Sequence, residues 1–174
     1  EYDTLGPTVY GHPVAERAIA VAAAPFFNTA AYNPFASPAT LESFSSKGGI
    51  PILFDRDGDR ISGITRQKPD VTGTDGVDNT FFGFDISDSA IGGIDSDPHP
   101  NFFGTSAAAP NVAAIAALVQ AVRPGLSPTG VRNRLESTAG DVTSRQRRDG
   151  EFVEITGGEG VDPWSGHGFV RADR

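Results

Sequence analysis

The chain has 174 residues with 14 Lys or Arg against 22 Asp or Glu, so its net charge is −8 and its pI is near 4.7. It can form one ordinary domain that buries roughly 70% of its unfolded surface. Because no Lys/Arg stripe is present, we expect no nucleic-acid partner, and the absence of cysteine excludes disulfides, thiol catalysis and Cys-based metal sites.

No segment has the pattern of a signal peptide, and no apolar run is judged long enough to span a bilayer, so no membrane partner is expected. Methionine is absent even at position 1. The simplest interpretation is that the sequence is a piece of a longer chain.

A turn-rich N-terminal segment precedes the first apolar stretch. Gly11-His12-Pro13 is typical of a turn. The stretch that follows predicts a buried strand near Ala18–Ala24, although its alanine content would also allow a short helix.

Residues 50–66 carry the signals of an inserted β-hairpin. Two short apolar stretches flank Asp55-Arg56-Asp57-Gly58-Asp59, and its Asp-Gly pair suits a tight primed turn. The alternating aspartates lack the pattern of an EF-type calcium loop, because its sixth and twelfth positions would be Arg60 and Arg66 instead of Gly and Glu. We therefore expect a solvated turn and no metal site.

Residues 76–103 combine acidic and phenylalanine residues in Gly/Ser/Pro-rich sequence. The phenylalanines are expected to pack in a core or hairpin, and the acids to form a solvated rim. The acids are Asp78, Asp85, Asp88, Asp95 and Asp97, and the phenylalanines are Phe81, Phe82, Phe84, Phe102 and Phe103.

The longest apolar stretch follows Gly104-Thr105-Ser106 and continues to Val122, with Gln120 as its one polar residue after Val112. A helix that is apolar on all sides is expected to be buried. A serine at its start lies beside unpaired N–H groups and the positive end of the helix dipole, which favour the oxyanion of acyl transfer. A lone serine there would more simply be a helix cap.

A second helix is predicted to begin at Ser127-Pro128, a favourable N-cap and N1 pair, and to end before Gly140. Val131 and Leu135 lie four residues apart and share one face. The charged residues 143–154 are expected to form a loop. The arginines expected in solvent there are Arg145, Arg147 and Arg148.

The segment 104–113, Gly-Thr-Ser-Ala-Ala-Ala-Pro-Asn-Val-Ala, resembles the nucleophile motif Gly-Thr-Ser-x-Ala-Ala-Pro-His-Val-Ala of the subtilisin-like serine peptidases, with Asn111 in place of His. Residues 72–76 depart further, because the family usually has Ala-Pro-Gly after Lys-Pro-Asp-Val. Outside the hairpin, the resemblance covers almost the whole chain. The other similar segments are Gly11-His12-Pro13 with the strand after it, Leu41–Gly49, Lys68–Val71 and Gly166–Ala172.

The resemblance implies an α/β fold: residues 1–174 would be the C-terminal half of a three-layer α/β/α catalytic domain with a mainly parallel sheet. Ser106 would be the nucleophile, and Gly104 and Thr105 would bind substrate. By the same resemblance Gly11 would help to shape the S1 pocket, and the His12-Pro13 bond would be cis.

In this family the triad runs Asp, His, Ser along the chain. The Asp, the His and the side-chain oxyanion donor are therefore expected before Glu1, and the isolated chain is expected to be inactive. The resemblance also implies a polypeptide substrate, no cofactor and a secreted or extracellular location.

Local rules and the resemblance differ on where the central helix begins. Pro110 alone would suit the first helical position, with Ser106 in a loop before it. The family pattern places the start near Thr105, and the strong helix formers Ala107–Ala109 favour that interpretation.

Two alternatives remain open. An α/β-hydrolase-type esterase would use Ser106, Asp141 or Asp149, and His167, although Pro98–Asn101 interrupts the strand that its nucleophile turn requires. A binding or scaffold domain of a degenerate peptidase would use the serine only as a helix cap.

A half-sheet would leave an unpaired edge. We therefore expect either association with another copy of the chain or an edge protected by the inserted hairpin. The resemblance further implies the N-terminal half of the same catalytic domain as a partner.

Overall fold

The computed structural model describes residues 6–35, 38–81, 83–86, 95–155 and 159–173. The helices are α1 (Thr105–Val122) and α2 (Pro128–Thr138), with short 3-10 helices at His12–Val14 and Phe26–Asn28. The strands are β1 (Val21–Pro25), β2 (Thr40–Leu41), β3 (Pro51–Phe54), β4 (Arg60–Thr65), β5 (Val71–Asp75), β6 (Val77–Asp78), β7 (Asn101–Phe102), β8 (Ser144–Gln146) and β9 (Phe152–Glu154).

The central pair of strands, β1 and β5, is parallel, with a register from Val21↔Val71 to Pro25↔Asp75. Strands β2 and β8 are also parallel. Parallel strands combined with packed helices give the α/β class that the sequence predicted. The strand expected near Ala18–Ala24 is β1.

The central pair separates two apolar clusters, because alternate side chains of a strand point to opposite faces. Ala22 and Ala24 of β1 lie in the first cluster with Leu41 and Trp164. The second cluster joins β5 to both helices. Its buried members are Val71, Val112, Val131, Leu135 and Val170.

Helix α2 follows the sequence prediction closely. The Ser127 hydroxyl accepts a hydrogen bond from the Gly130 N–H at 3.1 Å, and Pro128 is the first helical residue. Val131 and Leu135 are buried, as their shared face predicts.

Helix α1 begins at Thr105 and contains Pro110, as the family pattern predicts. The expectation that the whole helix is buried is wrong. Only three of its residues, Ala107, Ala108 and Val112, are buried, whereas Leu118 is 61% exposed and Val122 80% exposed. The helix packs against β1, β5 and α2, and the described residues leave its other side uncovered.

The expectation that no apolar run could span a membrane also needs correction. Among the described helices, α1 is long and apolar enough to do so by length and composition alone. The core helix of a soluble protein passes the same test, and α1 buries Val112 in the cluster that it shares with Val71.

Residues 50–66 form the predicted hairpin, in which β3 and β4 are antiparallel with Pro51 opposite Thr65. Its turn is not the expected two-residue primed turn. The Gly58 N–H donates to the Asp55 carbonyl at 3.3 Å, and the Asp55 carboxylate accepts the N–H groups of Asp57 and Asp59 at 2.9 Å. A five-residue loop therefore connects the strands.

The inserted hairpin does not protect the edge of the central pair, contrary to expectation, because β3 and β4 pair only with each other among the described strands. On the far side of β5, the Thr72 N–H donates to the Gly168 carbonyl at 2.8 Å. On the far side of β1, the Ala23 carbonyl accepts the Glu42 N–H at 2.9 Å. The two edges are therefore held by chain segments of their own.

The segment expected to be a charged loop contains two strands, β8 and β9, which pair antiparallel. Arg145 of β8 is buried, and its guanidinium lies 4.3 Å from the centre of the Trp164 ring. Sequence reasoning placed this arginine in solvent because the aromatic face that accepts it is distant along the chain.

A buried carboxylate joins β1, β5 and α2. Asp70 is 2% exposed, and its Oδ2 accepts the Ala20 N–H at 2.6 Å and the Lys68 Nζ at 2.7 Å. Its Oδ1 pairs with a guanidinium nitrogen of Arg132 from α2. The same Lys68 Nζ also donates to the Ala18 carbonyl at 2.6 Å.

We predict that Asp70→Asn lowers the free energy of unfolding by about 3 kcal/mol, because it leaves the buried Lys68 ammonium without its counter-charge. Urea unfolding followed by circular dichroism would measure the loss. The matched control is Asp57→Asn in the exposed hairpin turn, which is expected to cost under about 0.5 kcal/mol. A loss under about 1 kcal/mol for Asp70→Asn would contradict the role assigned to this carboxylate.

Candidate active site

The start of α1 presents Ser106 to solvent. Gly104 is the N-cap residue with φ 140° and ψ 154°, Thr105 is the first helical residue and Ser106 the second. The Gly104 carbonyl accepts the N–H groups of Ala107 at 2.8 Å and Ala108 at 3.1 Å. By its position, the Ser106 N–H belongs to the first turn, where N–H groups lack an intrahelical acceptor. The exposed Ser106, with this N–H, lies at the positive end of the helix dipole.

Two hydrogen bonds tie the start of α1 to the end of β5. The Gly104 N–H donates to Asp75 Oδ2 at 2.7 Å. The Asn111 Nδ2 donates to the Thr74 carbonyl and to the Ala107 carbonyl, both at 3.1 Å. Asp75 and Asn111 are both departures from the family motif, and the sequence alone did not predict these contacts. One feature of the sequence could have indicated them: both polar substitutions fall in segments that resemble the family, residues 72–76 and residues 104–113.

A short antiparallel ribbon leads into the serine turn. β6 pairs with β7, with Val77 opposite Phe102. The ring of Phe103 lies against Gly76, where an added Cβ would come within 2.5 Å of the ring carbon Cε1. Gly76 therefore permits this close approach at the turn after β5.

The expected packing of the phenylalanines is confirmed only in part. Phe102 and Phe103 are half-buried, and the Phe103 ring centre lies 6.3 Å from that of Phe27. Phe81 and Phe84 are exposed, contrary to expectation. Phe82 lies outside the described residues.

The acidic rim is partly buried. The carboxylates of Asp78, Asp95 and Asp97 place one oxygen each within 4.8 Å of one another, and Asp95 is buried. The Asn101 Nδ2 donates to Asp78 at 3.1 Å and to Asp95 at 2.7 Å. Desolvation, and then the charges of Asp95 and Asp97, raise the pKa of Asp78. Such oxygens could hold a hard divalent cation, although exposed acidic groups are common without one. Asp85 is exposed.

Asp88, another member of the acidic set, lies outside the described residues.

Two further carboxyl groups lie at the β5 side of the site. Asp75 is fully buried, and its Oδ1 has no hydrogen-bond partner among the described residues. Burial raises the pKa of Asp75 to about 6. Burial, followed by the charge of Asp75, raises the pKa of Glu42 to about 7. Ionising Asp75 and Glu42 at the same time is therefore energetically costly.

Gly11 precedes the 3-10 helix His12–Val14 and is exposed, with φ 71°. No hydrogen bond among the described residues joins Gly11 to the start of α1, so its place in a substrate pocket stays a prediction. The His12-Pro13 bond is trans, contrary to the implied cis form, and the cis bond in the described residues is Lys68-Pro69.

The residues of the α/β-hydrolase alternative are not brought together. Among the described residues, no hydrogen bond or ion pair joins His167 to Ser106, Asp141 or Asp149. The His167 Nε2 instead lies 3.8 Å from a carboxylate oxygen of Glu136. The described structure therefore gives this alternative no Ser–His–Asp chain.

The family model described as "Subtilase family" matches residues 8–168. A curated relative, subtilisin-like protease SBT4.14 of Arabidopsis thaliana, is 30% identical over 125 residues. That match covers 70% of this chain and 15% of the relative, so the chain spans only a small part of that relative's length.

We predict that Gly104→Ala destabilises the protein by about 1 to 3 kcal/mol, because φ 140° is strained for a residue with a Cβ. Thermal unfolding would measure the effect. Gly125→Ala is the control, since Gly125 has open space around it and is not in the left-handed region. Equal melting temperatures for the two variants would contradict the requirement for glycine at position 104.

We predict that Glu42→Gln stabilises the protein near pH 8 by about 1 to 2 kcal/mol and gives no gain near pH 4. The folded-state pKa of Glu42, about 7, lies above its ordinary 4.5. The folded protein therefore binds the proton more tightly than the unfolded chain does. The contribution of Glu42 to the free energy of unfolding falls as pH rises from 4.5 to about 7.

Denaturant unfolding at both pH values would test this, with the exposed Glu16→Gln as control. A gain that is equal at both pH values, or present only near pH 4, would show that ionisation of Glu42 is not the cause.

Proposed function

The chain belongs to the subtilase family, and on that premise we propose that it is the nucleophile-bearing part of a subtilisin-like serine endopeptidase. In this proposal a general base takes the Ser106 proton while the hydroxyl oxygen attacks the carbonyl carbon of a substrate peptide bond. The C–N bond then breaks, the amine leaves with that proton, and water hydrolyses the acyl-enzyme to release the carboxylic acid and free Ser106. The Ser106 N–H supplies one donor to the oxyanion, while Gly104, Thr105 and Gly11 contribute to binding the polypeptide. The carrying observation is an exposed serine at the second position of α1.

The proposal assigns residues 1–174 to the second half of the catalytic domain, with residues 50–66 as an insertion. The first half supplies the triad carboxylate and imidazole and the side-chain oxyanion donor. The uncovered side of α1 supports this arrangement, since Leu118 and Val122 expose large apolar surfaces that a packed domain would bury. We extend the proposal to secretion, because the family supports an extracellular location.

The chemistry explains why both halves are needed. A serine hydroxyl is a weak nucleophile until an adjacent general base accepts its proton. Loss of one oxyanion donor alone costs about 10² to 10³ in kcat. The chain on its own is therefore expected to have no meaningful peptidase activity.

We predict that a fluorophosphonate probe labels the full-length protein at Ser106, as peptide mapping by mass spectrometry would show. Ser106→Ala is expected to abolish labelling, whereas Ser62→Ala, at an exposed serine of β4, is expected to leave it unchanged. The isolated 174-residue chain is expected to label at least about 10³-fold more slowly than the full-length protein.

Labelling that survives Ser106→Ala would remove this serine as the nucleophile. Equal labelling rates for the isolated chain and the full-length protein would refute the need for a first half. A full-length protein that is folded but unlabelled would favour the binding or scaffold alternative.

A further inference from the structure

We propose that Asp75 is a positioning residue for this site: by accepting the Gly104 N–H, its carboxyl group holds the turn that presents Ser106. The inference rests on the proposed peptidase function, and it assigns a role to a residue that departs from the family motif.

The start of α1 lacks both of the usual ways to fix a helix N-terminus. The N-cap residue Gly104 has no side chain, so it cannot accept an N–H of the first turn. In a capping box, the residue at the third helical position reaches back to the N-cap N–H, but that position is Ala107. Asp75, 29 residues earlier in the chain, supplies the missing acceptor at 2.7 Å.

The use of Asp75 in place of a local capping residue has a chemical consequence for Ser106. A serine or aspartate at the N-cap would direct its oxygen to the N–H groups of the second or third helical residue, and Ser106 is the second. Here Asp75 holds the turn by accepting the Gly104 N–H. Because the N-cap residue is glycine, no N-cap side chain accepts the Ser106 N–H. That N–H stays available for a developing oxyanion.

The burial and hydrogen bonds of Asp75 and its neighbour Thr74 show how β5 holds α1. It is fully buried at the end of β5, and its Oδ2 takes the Gly104 N–H while Oδ1 has no partner in the described part of the chain. The preceding residue, Thr74, accepts the Asn111 side chain from the second turn of α1. Two successive residues of β5 therefore hold α1, and of their two bonds the one to Asp75 is made by the N-cap residue of the serine turn.

The test separates this bond from the bulk of the side chain. Asp75→Asn keeps an oxygen that can accept the Gly104 N–H, Asp75→Ala removes it, and Asp75→Leu fills the space without accepting. Asp57→Asn in the exposed hairpin turn is the control. In the full-length protein, kcat and KM for a peptide substrate are measured per active site titrated with fluorophosphonate.

We expect Asp75→Ala and Asp75→Leu to lower kcat per titrated site by about 10- to 100-fold, with KM changed by less than about 3-fold, because the loss concerns transition-state geometry. Asp75→Asn is expected to restore kcat to within about 3-fold of wild type. A residue that only stabilises the fold would reduce the number of titrated sites and leave kcat per site unchanged.

Unchanged kcat per titrated site in both Asp75→Ala and Asp75→Leu would overturn the inference, as would an Asp75→Asn variant no better than Asp75→Leu. Amide hydrogen exchange gives a second readout that needs no activity. Faster exchange at residues 104–108 in Asp75→Leu than in Asp75→Asn supports the positioning role, and equal rates overturn it. A wild-type protein that binds no probe would refute the proposed function, while the exchange comparison would still decide the role of Asp75.

Discussion

The structure depends on the buried carboxylate of Asp70 at the entrance to β5. This one group binds the backbone before β1, the Lys68 ammonium and the Arg132 guanidinium of α2. Because a buried charge without partners is strongly destabilising, these bonds place the start of β5 relative to β1 and α2. A paired strand then carries that placement to its other end, where Thr74 and Asp75 contact α1.

Helix α1 therefore receives its position from a strand and not from a cap of its own. Glycine at position 104 is a weak cap, yet it tolerates φ 140° and leaves the first N–H groups without a side-chain acceptor. Pro110 removes one more internal bond, the one that its N–H would give to the Ser106 carbonyl. Long-range bonds from β5 compensate for a helix start that has neither a side-chain N-cap nor a full set of internal bonds.

Two sets of unfavourable features among the described residues bear on the proposed function. Beside the serine turn are a buried carboxylate oxygen that has no hydrogen-bond partner in the described part of the chain and two acids with raised pKa values. Along α1 is the apolar side that ends in Leu118 and Val122. Both fit the proposal that the chain completes its site by packing against another part of the same domain, since buried polar groups are normally hydrogen-bonded and large exposed apolar patches mark contact surfaces.

Local patterns were sufficient for those features that neighbouring residues decide. They predicted the cap and buried face of α2, the hairpin at residues 50–66, and, with the family motif, a helix that begins at Thr105. Tertiary packing alone decided that one side of α1 stays open, that Arg145 stacks on Trp164, and that Asp75 accepts the Gly104 N–H. Each of these depends on a partner far away along the chain, so residue type and short spacing carry no information about it.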